Sequence, residues 1–225
     1  MKADPHAGLY TVLEAATYAR LHHVTASRWL KVMQKPREWG PLDNTELTVS
    51  FLDFVQLLAV RELRNRGVSL DRIREAVSTA THDYRLDYPL AHPDHRVFTD
   101  GRDVHLHIGG DESSVQLSGK NRRQRNLPYI ELLYLRDLSF DDQNNPTEYA
   151  AYRDGQIVIL QRPGIAFGAP MVKDTRYTAL TLAEAFKAEG TLEAVADAFE
   201  VTVDQVAAAC RYFDHLDRPQ QSHAA

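Results

Sequence analysis

A chain of 225 residues, 44% hydrophobic and 25% charged, is long enough to bury a core of its own without covalent staples. Its one cysteine, Cys210, excludes an internal disulfide framework and a multi-cysteine zinc ribbon, and fits a reducing compartment. No apolar run approaches the roughly 18 residues of a membrane span, and the start, MKADPHAGLY, lacks the charged-then-apolar pattern of a secretion signal, so a cytoplasmic protein with no membrane partner is expected.

The formal net charge of −5 opposes a nucleic-acid partner, because phosphates demand Lys and Arg. The distribution matters more than the sum. Residues 1–80 hold 11 Lys and Arg against 9 Asp and Glu, whereas residues 81–150 hold 8 against 12 and residues 151–225 hold 7 against 10. Between positions 20 and 40, Arg20, Arg28, Lys31, Lys35 and Arg37 stand against Glu38 alone, a basic patch on an acidic protein that locates a DNA face.

Thr11 followed by Glu14 is a capping-box pattern, and the helix formers after it predict a short helix ending near Arg20. Leu21 to Val24 interrupts it, and Thr25 to Gln34 reads as a second helix with Thr25 as its N-cap. Two short helices across a four-residue turn are the helix-turn-helix layout. Pro36, Gly40 and Pro41 then predict a loop or wing from Lys35 to Asn44. Phe51, Phe54, Val55, Leu58 and Leu63 recur at helical spacing and predict an amphipathic helix from Ser50 to Arg66, stopped by Gly67. Ser69 caps a further helix, Leu70 to Thr79, with Leu70, Ile73 and Val77 inward.

In the middle, the alternation on either side of Asp100-Gly101 predicts a β-hairpin over 97–108. A second hairpin is expected where Leu138 to Asp141 is joined through Asn144, Asn145 and Pro146 to Glu148 to Tyr152, with a basic run, Lys120 to Arg125, between the two. Gln156 to Leu160 reads as a short strand closed by Pro163-Gly164. Three helical runs follow, Leu180 to Ala188, Leu192 to Phe199 and Val203 to Leu216, with Gly190 stopping the first and Thr191 and Thr202 capping the others.

The N-terminal third resembles the winged-helix DNA-binding domain of the MerR superfamily, through Tyr10-Thr11-Val12, Glu14-Ala15-Ala16, Thr25-x-Ser27-Arg28-Trp29-Leu30 and Val68-Ser69-Leu70-x-x-Ile73-Arg74. The C-terminal part resembles the small helical domain of unknown function that recurs in bacterial antitoxins. The matching residues are Ile165-Ala-Phe-Gly168-Ala-Pro170, Thr175-Arg176, Leu182-Ala183-Glu184, Gly190-Thr-Leu-Glu193-Ala-Val-Ala196 and Val203-x-x-Val206-x-x-Ala209. Tyr177 and Thr178 depart from that pattern, which has Val or Ile and then Pro. In this order the two halves look like a VapB-type antitoxin. The resemblance implies a protein that binds a PIN-like ribonuclease toxin encoded by the adjacent gene, blocks its nuclease site and represses its own operon by binding operator DNA. It also implies a basic side chain placed against the carboxylates of the toxin's metal site. Arg122, Arg123, Arg125, Arg211 and Arg218 are the candidates.

The expected architecture is mainly α within the α+β class. It comprises a winged helix-turn-helix over 1–86, a middle region with hairpins over 87–155 and a three-helix domain over 156–225, paired as a homodimer so that two half-sites double the contacts. Thr25, Ser27 and Arg28 are candidates for base contacts in the major groove, with Lys31, Lys35 and Arg37 for phosphates. The C-terminal helices read as a toxin or dimer surface instead, because Arg211 there faces Glu193, Asp197, Glu200, Asp204 and Asp214. His92, His95, His105 and His107 form the one metal-like cluster of the sequence, but with no cysteine near it no metal or other cofactor is expected. Phosphate loops, nucleophile elbows and metalloprotease motifs are absent from the sequence, which points away from an enzyme. The alternative reading is a free-standing MerR-like transcription regulator that senses a small molecule.

Overall fold

The computed structural model describes residues 4–33, 48–108, 115–119 and 130–217. Strand β1 (Gly8–Tyr10) pairs antiparallel with β2 (Val49–Ser50), and α1 (Val12–Tyr18) and α2 (His23–Met33) run between them. The expected capping box forms at α1: Thr11 Oγ1 accepts from the Glu14 N–H at 3.1 Å while the Glu14 carboxylate accepts from the Thr11 N–H at 2.8 Å.

The start of α2 corrects the sequence reading, since Thr25 lies inside the helix and is not its N-cap. The His22 carbonyl accepts from the N–H groups of Thr25 and Ala26, and His22 Nδ1 accepts from Val24 at 3.3 Å. A histidine ring nitrogen takes the place of a cap hydroxyl, which the usual preference for Ser, Thr, Asp and Asn conceals. The expected wing, with Lys35 and Arg37, lies outside the described residues.

Helix α3 (Phe51–Asn65) begins at Ser50, whose Oγ caps the Asp53 N–H at 3.1 Å. Its pattern reads as amphipathic, yet every residue from Phe51 to Val60 is buried. The reason is position. Helix α1, helix α4 (Leu70–Tyr84), a 3-10 turn at Tyr134–Asp137 and the strand Pro146–Asp154 all pack around it. Gly67, at φ +88°, makes the turn into α4, which is capped by Ser69 as expected. Helix α4 runs past the expected end at Thr79 and stops where Arg85 turns left-handed.

Both hairpins form. In the first, β3 (His95–Thr99) pairs with β4 (Val104–Ile108), Val97 opposite Leu106, and β5 (Val115–Gln116) and β6 (Ile130–Glu131) complete a sheet of order β5-β4-β3-β6. Asp100 Oδ1 closes its turn by accepting from Arg102 and Asp103, both at 2.8 Å. In the second, β7 (Leu138–Phe140) pairs with β8 (Pro146–Asp154). Strands β9 (Ile157–Gln161) and β10 (Met171–Val172) extend it to a sheet of order β10-β9-β8-β7.

The C-terminal helices are α5 (Ala179–Glu189), α6 (Leu192–Phe199) and α7 (Val203–Asp217). Thr178 caps α5 by accepting from the Thr181 N–H at 3.0 Å, which gives the departure from proline a structural role. Tyr177 beside it packs edge-on against Phe199 at 4.9 Å.

Among the described residues two large apolar cores form, with a small third cluster of Ala150, Val158 and Leu160 on the second sheet. One runs from Tyr10 to Tyr149 and joins the N-terminal helices to the middle strands, so the segments 1–86 and 87–155 share it. The other gathers Ile159 and Val172 of the second sheet with Leu182, Val195, Val206 and Tyr212 of the three helices. The 155/156 boundary falls in the tight turn between β8 and β9, whose ladder continues across it. Among the described residues, no helix is long and apolar enough to cross a membrane.

Candidate functional site

Helix α2 has a buried side and an outward side. Ala26, Trp29 and Leu30, spaced as one helical face, are buried and fix its rotation. Val24, Arg28 and Lys31 therefore point away from the core and are exposed, with Ser27 half-buried on the same arc and Thr25 half-buried at its other edge. Among the described residues, no hydrogen bond or ion pair engages the Arg28 guanidinium or the Lys31 ammonium. His22 and His23, exposed with their rings 4.8 Å apart, stand at the N-terminal end of the same surface. The N–H groups of Val24, Thr25 and Ala26 are taken up by His22, so the positive character of this face rests on Arg28 and Lys31.

Helix α2 is clamped from behind. Arg74 of α4 donates from Nη2 to the Arg28 carbonyl at 3.0 Å while its Nη1 meets Asp71 at 3.2 Å. Sequence reasoning assigned Arg74 no site role. The signal that could have marked it is its place in the Val68–Arg74 run. At the other end of the turn, Arg20 (φ +53°) donates from Nη1 to His215 Nε2 of α7 at 3.0 Å, tying the helix pair to the C-terminal domain.

The expected toxin-facing bases are not brought together among the described residues. Arg211 is on α7 and bonds to Asp154 at the end of β8. Its charge is therefore already balanced. Arg122, Arg123, Arg125 and Arg218 lie outside the described residues. Glu193, Asp197, Glu200, Asp204 and Asp214 are all exposed, so the described C-terminal surface is acidic.

The histidines do not converge on one point. The His92 and His95 rings stack at 4.3 Å, His95 Nδ1 bonds to the Pro89 carbonyl, and His105 is buried on β4. Burial, and then the neighbouring His92, hold the His95 pKa below its ordinary value, and burial does the same for His105. Among the described residues, no group of three His, Cys, Asp or Glu is placed to hold a metal ion. Cys210 is half-buried, and burial raises its thiol pKa, which leaves it a poor nucleophile.

Residues 159–213 match a family described as a protein of unknown function, DUF433; the match spans the second core, from β9 into α7. No curated protein matches the chain. The fold is similar to that in the crystal structure of Rv2018 from Mycobacterium tuberculosis, with a TM-score of 0.63 and 18% identity over 93% of this chain and 99% of that one. The chain therefore shares a fold with Rv2018 along nearly its whole length, and its C-terminal core is similar to DUF433.

Proposed function

We propose that the chain is a DNA-binding regulator and, more specifically, the antitoxin of a type II toxin–antitoxin pair. In this reading it is a cytoplasmic, non-enzymatic homodimer that binds operator DNA through α2 and represses its own operon. It also binds and inhibits a PIN-like ribonuclease toxin encoded by the adjacent gene. The observation that carries the DNA reading is the division of α2: Trp29 locks it in place, and Arg28 and Lys31 extend outward from it. A short helix so oriented offers Ser27 and Arg28 to base edges and Lys31 to phosphate. Toxin binding rests on the likeness of the C-terminal residues to antitoxins, and for Arg211 to act there it must exchange Asp154 for a carboxylate of the toxin.

A mobility-shift assay with the DNA upstream of the gene tests the first part. Wild type retards that DNA over unrelated DNA and Arg28→Ala loses the preference. Equal binding by both proteins to both DNAs removes α2 as the reader.

The small-molecule-sensing regulator remains a second reading because of one feature. Asp174, Arg176, Tyr177, Phe199, Glu200 and Gln205 line a half-open cleft of about 320 Å³ where the β10–α5 loop meets the α6–α7 turn. A transporter or enzyme gene next door, in place of a nuclease, favours it.

A further inference from the structure

The loop between β9 and β10 holds the most strained backbone of the described surface. Ala166, Phe167 and Gly168 take φ values of +47°, +52° and +78° in succession, a region where only glycine sits without penalty. Two buried side chains keep the loop there. Tyr10 Oη of β1 and Gln161 Nε2 of β9 both donate to the Gly168 carbonyl, at 3.0 and 3.1 Å. The Gly168 and Ala169 N–H groups close the loop onto the Ile165 and Ala166 carbonyls, at 2.9 and 3.0 Å. What these bonds hold in position is Phe167, a residue 84% exposed. A rigid aromatic ring in water, on a strained backbone, gains only when a partner covers it.

A recess for such a ring lies beside it. Pro5, Pro146, Thr147, Pro163, Gly164 and Ile165 line a groove of about 370 Å³. An apolar cavity of about 150 Å³ accepts benzene, so the groove has volume enough for a phenyl group. Arg162 and Asp141, which also border it, are already engaged, the first by Glu148 and the second by the N–H groups of Gln143 and Asn145. Ile165, 42% exposed, lines the groove and stands two residues from Phe167.

We propose that this face joins two copies of the chain about a two-fold axis, Phe167 of each entering the groove of the other. A two-fold interface must be self-complementary, so one patch has to carry both the projection and the recess, and here a single loop carries the projection and borders the recess. Tyr10, which pins the loop, directly precedes the N-cap of α1, so the same contact sets how the two α2 helices are presented. The inference rests on the reading above for the need of paired half-sites. Its test uses neither DNA nor toxin, so the two can fail separately.

Sedimentation of the full chain from about 1 to about 100 µM, a range that brackets micromolar self-association, provides the test. Wild type is a dimer. Phe167→Asp, at an exposed site, leaves the circular dichroism spectrum unchanged and weakens the dimer roughly 30-fold or more, as loss of a central aromatic anchor does. Thr147→Trp fills the groove and has the same effect. An equimolar mixture of the two variants forms a heterodimer stronger than either variant alone, because one supplies the ring and the other the recess. A monomeric wild type, a Phe167→Asp dimer of wild-type strength, or a mixture that stays monomeric each overturns the proposal; the second outcome leaves Phe167 to a different protein or ligand.

Discussion

Replacing Gly168 by alanine probes the joint between the N-terminal strand and the C-terminal domain. A Cβ at this position falls 2.4 Å from Tyr10 Oη and 2.7 Å from its Cζ. The left-handed backbone alone costs an alanine about 1–2 kcal/mol. Tyr10 has little room to yield, because it is buried against Tyr18 and Phe54, with ring centroids 6.0 and 5.3 Å away. Moving it gives up the bond to the Gly168 carbonyl, about 1 kcal/mol net, and disturbs packing by about 1–3 kcal/mol. Gly168→Ala is therefore expected to lower the unfolding free energy by about 3 kcal/mol or more. Tyr10→Phe should lower it by only about 1 kcal/mol, since Gln161 still donates to the same carbonyl. Urea titration followed by tryptophan fluorescence measures both, the larger loss appearing as a midpoint lower by about 1 M or more. The double variant lacks the oxygen nearest the new Cβ and should be more stable than additivity predicts by about 1 kcal/mol. A loss below about 1 kcal/mol for Gly168→Ala, or strict additivity, refutes the wedge.

Three further outcomes are expected. Ser50→Ala leaves the buried Asp53 carboxylate without the hydroxyl that donates to it at 2.7 Å and uncaps α3, so it should cost about 2 kcal/mol in the same titration. Arg28→Ala should cost about 1–3 kcal/mol on the upstream DNA and relax its sequence preference. Lys31→Ala should weaken all DNA binding evenly and lower the salt slope by about 1. His95 and His105 have folded pKa values below 6.5, so the unfolded chain takes up protons first; their contribution is full above about pH 6.5 and is lost as pH falls through the folded values. The melting temperature should accordingly fall further for wild type than for His95→Gln between about pH 7.5 and about pH 5, and equal falls contradict this.

Elements with local chemical signatures were legible from the residues. Thr11 with Glu14, Ser69, Thr191 and the Asp100-Gly101 turn each carry their own hydrogen bonds, and the structure uses them as read. Features decided by distant neighbours were not. The period of α3 marks one apolar face, but Leu52, Gln56 and Ala59 are buried as well, in a helix packed by α1, α4, the 3-10 turn at Tyr134–Asp137 and β8, which the local pattern does not reveal. The end of α4 is hidden because Arg85 adopts a left-handed conformation that composition does not announce. On α2, the outward position of Arg28 was legible because Trp29 and Leu30, expected to pack inward, are the residues that the structure buries. The clamp from Arg74 to the Arg28 carbonyl was not, because no side-chain pattern encodes a bond to a backbone oxygen 46 positions away. The pairing of Arg211 with Asp154 likewise required knowing that α7 packs beside the end of β8.

We propose that the chain neutralises a toxic nuclease encoded beside it. The most direct measurement expresses the neighbouring gene alone and together with this chain, follows growth, and tests whether the two proteins co-purify. Arrest by the neighbour alone, growth when both are present, and a stable complex are the expected results. A neighbour that is harmless alone, or one whose toxicity this chain leaves unchanged with no complex formed, contradicts it.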